Sequence, residues 1–74
     1  DMTPTELFAH LQGIRNNLAA VGWVPPYIIC PGWLLRDLAE RKPRTFTEAT
    51  AAASSTIPHT TQPYLADLLN AIPR

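Results

Sequence analysis

The positions of the prolines constrain this chain more than any other feature of its sequence. Eight of the 74 residues are proline, and proline interrupts helices and central strands because it lacks the N–H group that both structures use. Between the prolines, apolar residues recur at helical spacing, and no segment alternates apolar and polar residues as a strand does. The sequence therefore predicts an all-α fold, a small bundle of about four to five short helices around one core.

The first helix has clear start and stop signals. Thr3 and Glu6 form a capping box, and Pro4 lies at the first helical position, where its missing N–H is not needed. Gly22 is a typical C-terminal stop. We therefore expect this helix to run from about residue 4 to residue 20.

The next segment, residues 23–32, is apolar but contains Pro25, Pro26 and Pro31. These prolines argue against a regular helix or a central strand. We expect an apolar Pro-Pro-Tyr loop between the first two helices, which either covers the core or presents its side chains to a partner. A second helix follows over residues 33–41 and ends before Pro43, because the residue before a proline avoids the helical region.

A third helix follows a second capping box. Thr45 is its N-cap and Glu48 its third residue, and the helix runs to about Ala53. Residues 54–56 are typical of a turn.

Two prolines divide the last part of the chain. Pro58 starts a short fourth helix, Pro63 ends it, and the last helix covers residues 64–72. The residues that we expect to be buried are Leu7, Phe8, Leu11, Ile14, Leu18, Ile28, Leu35, Leu38, Leu68 and Leu69.

Catalytic and metal-binding chemistry has little support in this sequence. His10 and His59 lie far apart, and neither has an Asp or Cys at the spacing of a catalytic triad or a metal site. Cys30 is the single cysteine, and its apolar neighbours favour a buried, inert thiol. No phosphate-binding or dinucleotide-binding motif occurs. We therefore expect no enzymatic activity, no cofactor and no metal ion.

Size, charge and hydropathy set the remaining limits. We expect residues 1–74 to form a single domain that belongs to the C-terminal region of a longer protein. Six Lys and Arg balance six Asp and Glu, so the chain has no overall field that attracts nucleic acid or acidic lipid. Its apolar runs are far shorter than the roughly 20 residues of a membrane span, and no signal peptide is visible. We expect a cytoplasmic, monomeric domain without membrane contact.

Four segments of the chain, in order, form the pattern of a known family. They are Glu6-Leu7-Phe8 with Leu11 and Arg15, Val24-Pro25-Pro26-Tyr27-Ile28-Ile29, Leu35-Arg36-Asp37-Leu38-Ala39 followed by Pro43-Arg44-Thr45, and Tyr64 with Leu68-Leu69. They resemble the first helix, the Pro-Pro-Tyr loop, the second helix with the entry to the third, and the final helix of the HRDC domain, the helicase-and-RNase-D C-terminal domain. The resemblance covers nearly the whole chain and is strongest to the HRDC domain of bacterial RecQ-type DNA helicases.

The resemblance implies an accessory module that helps a RecQ-type helicase or an RNase D-type ribonuclease to engage nucleic acid. In a bacterial DNA helicase, it implies association with the nucleoid. Two features depart from the family. Pro31-Gly32 replace the Ser-Asp or Asn-Asp cap of the second helix, and residues 54–57 replace a glycine-rich turn, with no Lys or Arg between Arg44 and Arg74. A glycine turn at a helix N-terminus binds phosphate through its N–H groups, and residues 54–57 contain no glycine for such a turn.

Tyr27 is the strongest candidate for contacting nucleic acid. It follows two prolines on a stiff segment, and a rigid exposed aromatic ring can stack on a base of a single strand. The alternative is a ring packed on the first helix. The other candidates are Arg15, Arg36, Arg41, Lys42 and Arg44. For the cations of residues 36–44 the alternative is a solvated helix face, on which Asp37 and Arg41 lie four residues apart and can pair.

A second set of residues is a candidate for docking. Trp23 and Trp33 flank the Pro-Pro-Tyr loop, and each either packs on the core or joins Tyr27 in an apolar surface patch. Glu48 and Asp67 are the only charged residues from 45 to 73 and are expected to meet a basic surface. Two functions stay open: weak binding of single-stranded or junction DNA that modulates the helicase, and docking onto another domain of that helicase or a partner protein.

Overall fold

A computed structural model describes residues 2–73, and its architecture confirms the all-α prediction. Within these residues no strand occurs. The helices are α1 (Pro4–Gly22), α2 (Pro26–Ile29), α3 (Gly32–Arg41), α4 (Phe46–Ala52) and α5 (Gln62–Asn70).

The start of α1 has the predicted capping box. The Glu6 N–H donates to Thr3 Oγ1 at 3.2 Å, and the Thr3 N–H donates to Glu6 Oε1 at 2.9 Å. These bonds satisfy two N–H groups that have no partner within the helix. The carboxylate form of Glu6 is favoured by the Thr3 N–H, and this hydrogen bond lowers the pKa of Glu6.

The end of α1 differs from the prediction, because Gly22 is still helical and Trp23 takes the left-handed conformation (φ 57°, ψ 39°). The N–H groups of Trp23 and Val24 donate to the carbonyls of Ala20 and Ala19 at 3.4 and 3.1 Å, which is the pairing of a Schellman motif. Pro25 disfavours helical backbone at Val24. The left-handed residue at which the chain changes direction is therefore Trp23, one position after Gly22.

The expectation of a helix-free loop after α1 is also wrong. α2 is a single turn, in which the N–H groups of Ile28 and Cys30 donate to the carbonyls of Pro25 and Pro26 at 3.0 and 3.2 Å. Pro26 lies in the first turn, where an N–H would have no helical partner, so a proline there is compatible with a helix.

The same principle corrects the prediction around Pro63. This proline does not end a helix but lies in the first turn of α5. The predicted helix from Pro58 is only a turn, with the Thr61 N–H donating to the Pro58 carbonyl at 3.1 Å. α5 ends at Asn70, before the predicted Ile72.

The core draws on all five helices and on the segments between them. Cys30 is buried, as expected, whereas Phe8, Ile14, Leu18 and Ile28 are only partly buried. These four side chains lie at the edges of the core, because a domain of this size buries a smaller fraction of its surface than a larger one does. The buried apolar residues are Leu7, Leu11, Ala19, Ile29, Cys30, Leu34, Leu35, Leu38, Ala39, Ala49, Ile57, Leu65, Leu68, Leu69 and Ile72.

Two long-range hydrogen bonds define how α1 and α3 lie against each other. Lys42, which follows α3, donates from Nζ to the Met2 carbonyl at 2.8 Å. Arg15, in the second half of α1, donates from Nη1 to the Cys30 carbonyl at 3.2 Å. The start of α1 therefore lies beside the end of α3, and the two helices are antiparallel.

Candidate nucleic-acid interface

The local fold places Tyr27 as a rigid, outward-facing ring. Pro25 has an extended backbone (φ −62°, ψ 145°) and is the N-cap of α2, and Ile29 anchors the same turn in the core. The Tyr27 side chain is 66% exposed. The alternative in which its ring packs on α1 is therefore wrong, and a flat aromatic face is available for stacking.

Trp23 is more exposed than any sequence argument indicated. Its side chain is 93% exposed, so the interpretation in which it packs on the core is wrong. Trp33 lies in the first turn of α3 and is 36% exposed, which agrees with partial packing. Because α2 connects directly to α3, we refer to Trp23, Tyr27 and Trp33 together as the aromatic end of the domain.

Arg15 serves the fold as well as offering charge. Its guanidinium donates to the Cys30 carbonyl, and its Nε is buried with no hydrogen-bond partner among residues 2–73. Arg15 therefore fixes the end of α2 against α1. Its role in contacting a phosphate stays a prediction. Because Arg15 is partly buried, less of its surface is available than in an exposed arginine.

The other predicted cations divide into free and engaged groups. Arg36, Arg41 and Arg44 are exposed. Lys42 is half-buried, left-handed (φ 48°) and bound to the Met2 carbonyl. We refer to Arg41, Lys42 and Arg44 as the basic end. The predicted surface pairing of Asp37 with Arg41 does not form, because the Asp37 carboxylate is buried and accepts hydrogen bonds from Ser54.

The basic end and the aromatic end lie at opposite ends of α3. Trp33 and Arg41 are eight residues apart on this helix, which corresponds to about 12 Å along its axis. Arg36 lies between them and lines a hollow with Pro4, Thr5 and Phe8 of α1. A ligand that touches both ends must therefore be extended along α3.

The two acidic docking candidates are exposed on other helices. Glu48 accepts the Arg44 N–H at 2.9 Å, and its own N–H donates to Thr45 Oγ1 at 3.1 Å. It therefore has a local capping role in α4. Asp67 lies exposed on α5. Their use in docking stays a prediction.

A groove between α4 and α5 was missed by the sequence reasoning. Its volume is about 590 Å³, and its walls include Phe46, Thr50, Ile57 and Leu65. Phe46 is 53% exposed. Only this large apolar side chain at the start of α4 could have indicated the groove, because its other walls come from separate segments.

The described residues hold no cluster with obvious metal or thiol chemistry. Among residues 2–73, no three His, Cys, Asp or Glu side chains are placed to hold a metal ion. Burial raises the pKa of the Cys30 thiol to about 12, so the thiol is uncharged near neutral pH and unreactive as a nucleophile. No helix in this part of the chain is long and apolar enough to cross a membrane.

The fold and the exposed residues together define a class, the small all-helical domain with aromatic and basic surface groups. The family model of the HRDC domain matches residues 5–72, and the chain belongs to this family. HRDC domains are non-catalytic accessory modules of helicases and of RNase D that bind nucleic acid or take part in interactions. Searches of curated proteins and of solved structures found no match.

Proposed function

We propose that this domain is the accessory single-strand-binding module of a RecQ-type DNA helicase, in which it modulates DNA binding and unwinding. Family membership supports an accessory role beside a nucleic-acid enzyme. The observation that carries the proposal is Tyr27, an exposed ring on a proline-anchored turn. Such a ring stacks on a base at little conformational cost, because the backbone that holds it is already ordered.

The charges of the domain predict weak binding of a single strand. The chain has no net charge, and Arg36, Arg41 and Arg44 are its exposed cations within residues 2–73. With so few phosphate contacts, we expect affinities of roughly 10⁻⁴–10⁻⁶ M for a single strand, the range of non-specific binding. Weak affinity of this kind suits a module that modulates the DNA binding of a larger enzyme.

The test is a titration of the 74-residue chain with a labelled single-stranded oligonucleotide, followed by fluorescence anisotropy. Tyr27→Ala should weaken binding by about 5- to 150-fold, the loss of one base stack, without lowering Tm. Phe46→Ala is the matched control, because it removes another exposed aromatic ring, on α4. Equal affinities for wild type and Tyr27→Ala, or equal losses in both variants, would contradict the proposal.

A second candidate function is docking to another domain of the host protein, and the α4–α5 groove favours it. The groove is partly apolar, and the stretch from Thr45 to Pro73 carries Glu48 and Asp67 but no Lys or Arg. A basic, partly apolar surface of the host would fit this side. If docking is the function, the roles of the two variants are exchanged. Phe46→Ala in the host protein should then alter unwinding, whereas Tyr27→Ala should not.

A further inference from the structure

Trp23 has a backbone that the fold uses to end α1 and an indole side chain that the fold leaves unused. Its backbone is left-handed (φ 57°), a conformation that bulky residues rarely adopt because Cβ approaches the following carbonyl oxygen. Its side chain is nevertheless 93% exposed. The unfavourable backbone is therefore not offset by burial of the indole.

Lys42 provides an internal comparison. It is the other non-glycine residue with positive φ among residues 2–73, and it too ends a helix. Its side chain, however, is half-buried and bonds the Met2 carbonyl. The fold uses the side chain of Lys42, whereas it leaves the indole of Trp23 in solvent.

The surroundings of Trp23 indicate which ligand it fits. The stretch from Leu7 to Arg36 contains no Asp or Glu, so α1 beyond its first turn, α2 and the start of α3 carry no carboxylate that repels a polyanion. Tyr27 lies four residues further on and is also exposed. Two exposed aromatic rings on ordered backbone, in a stretch without carboxylates, are suited to stacking on bases of a single strand.

We infer that Trp23 is a second base-stacking residue, which binds another nucleobase of the same strand that stacks on Tyr27. This inference rests on the proposed single-strand function and extends it from one aromatic contact to two. The left-handed backbone at Trp23 is held by hydrogen bonds to the end of α1, so the segment that carries the indole is already ordered before the ligand arrives and loses little freedom on binding.

The test compares variants that separate the ring, the strain and general apolarity. Trp23→Ala removes the ring and keeps the left-handed backbone, and affinity for the labelled single strand should fall about 5- to 150-fold. Trp23→Gly should lose affinity equally but raise Tm, by roughly 4–8 °C, because glycine adopts this backbone without strain. Val21→Ala is the matched control, since Val21 is 82% exposed at the same end of α1 but has no aromatic face; its affinity should change less than twofold.

A direct readout comes from Trp33→Phe, in which Trp23 is the one remaining tryptophan. Its emission should be quenched as the oligonucleotide is added, and a spectrum unchanged at saturation would overturn the inference.

Three further outcomes would overturn it in distinguishable ways. If Trp23→Ala binds like wild type while Tyr27→Ala is weakened, the second stack is wrong and the proposed function stands. If Val21→Ala is weakened as much as Trp23→Ala, the contact is apolar burial and not stacking. If the wild-type chain binds no single strand at all, the proposed function fails together with the inference.

Discussion

The carboxylate of Asp37 fastens the segment after α4 to the middle of α3. Its oxygens accept the Ser54 N–H at 2.7 Å and the Ser54 hydroxyl at 3.0 Å, and the residue is buried. A buried carboxylate is tolerated only where hydrogen bonds replace its lost hydration. Asp37 therefore joins two elements that the chain separates by 17 positions.

We expect Asp37→Ala to lower the free energy of unfolding by about 2–3 kcal/mol. A hydrogen bond to a charged group contributes about 1.5–3 kcal/mol, and the Ser54 N–H would lose its recorded partner. The measurement is urea denaturation followed by circular dichroism. Asp67→Ala, at an exposed position on α5, is the control and should change stability by less than about 0.5 kcal/mol. Equal effects of the two variants would refute the role of Asp37.

At the scale of elements, α3 buries one face between two other helices. Leu34, Leu35 and Leu38 are fully buried, whereas Arg36 and Glu40 on the same helix face solvent. α3 packs against both α1 and α4. Its buried face is therefore shared by more than one neighbour, and a cavity there cannot be closed by moving a single helix.

Leu38→Ala should accordingly destabilise the domain by about 2–5 kcal/mol, the range for removing a buried leucine side chain. This is a large part of the stability of a small domain, and Tm should fall by roughly 8–40 °C. Glu40→Ala on the exposed face of α3 is the control and should leave Tm within a few degrees of wild type. A small shift for Leu38→Ala would mean that α3 is less central than its burial indicates.

At the scale of the whole molecule, the surface charges are separated from the exposed aromatic rings. The basic end lies at the C-terminal end of α3, the aromatic end at its N-terminal end, and the domain extends over 30 × 23 × 18 Å. The α4 and α5 side carries carboxylates and no cation from Thr45 to Pro73. A single strand bound to the domain is therefore expected to run along α3, with bases at the aromatic end and phosphates towards the basic end.

The small number of exposed cations predicts that affinity depends only weakly on salt concentration. With Arg36, Arg41 and Arg44 as the exposed cations, the slope of log affinity against log salt should be about −2, at about −0.7 per phosphate on a single strand. Arg41→Ala with Arg44→Ala should reduce the magnitude of the slope to about 0.7. The measurement is the titration described above, repeated at several salt concentrations. A slope that the double variant leaves unchanged would exclude the basic end from the interface.

Residues close together in the sequence determined where α1 and α4 begin. Thr3 with Glu6 and Thr45 with Glu48 predicted the starts of α1 and α4, because a capping hydrogen bond spans only three residues. The ends were less predictable. Trp23 takes the position that a glycine normally holds, since Pro25 restricts the backbone of the residue before it.

Tertiary structure alone decided which side chains of the candidate site are free. Arg15 and Lys42 read as surface cations in the sequence, yet each bonds a backbone carbonyl at a distant position. Asp37 has the spacing of a surface ion-pair partner and is buried beside Ser54. Trp23 has a large apolar side chain of the kind that usually packs in a core, yet it is exposed. Local hydrogen bonding depends on neighbours within a helical turn, whereas burial depends on which remote segments cover a residue, and that coverage exists only once the helices have packed.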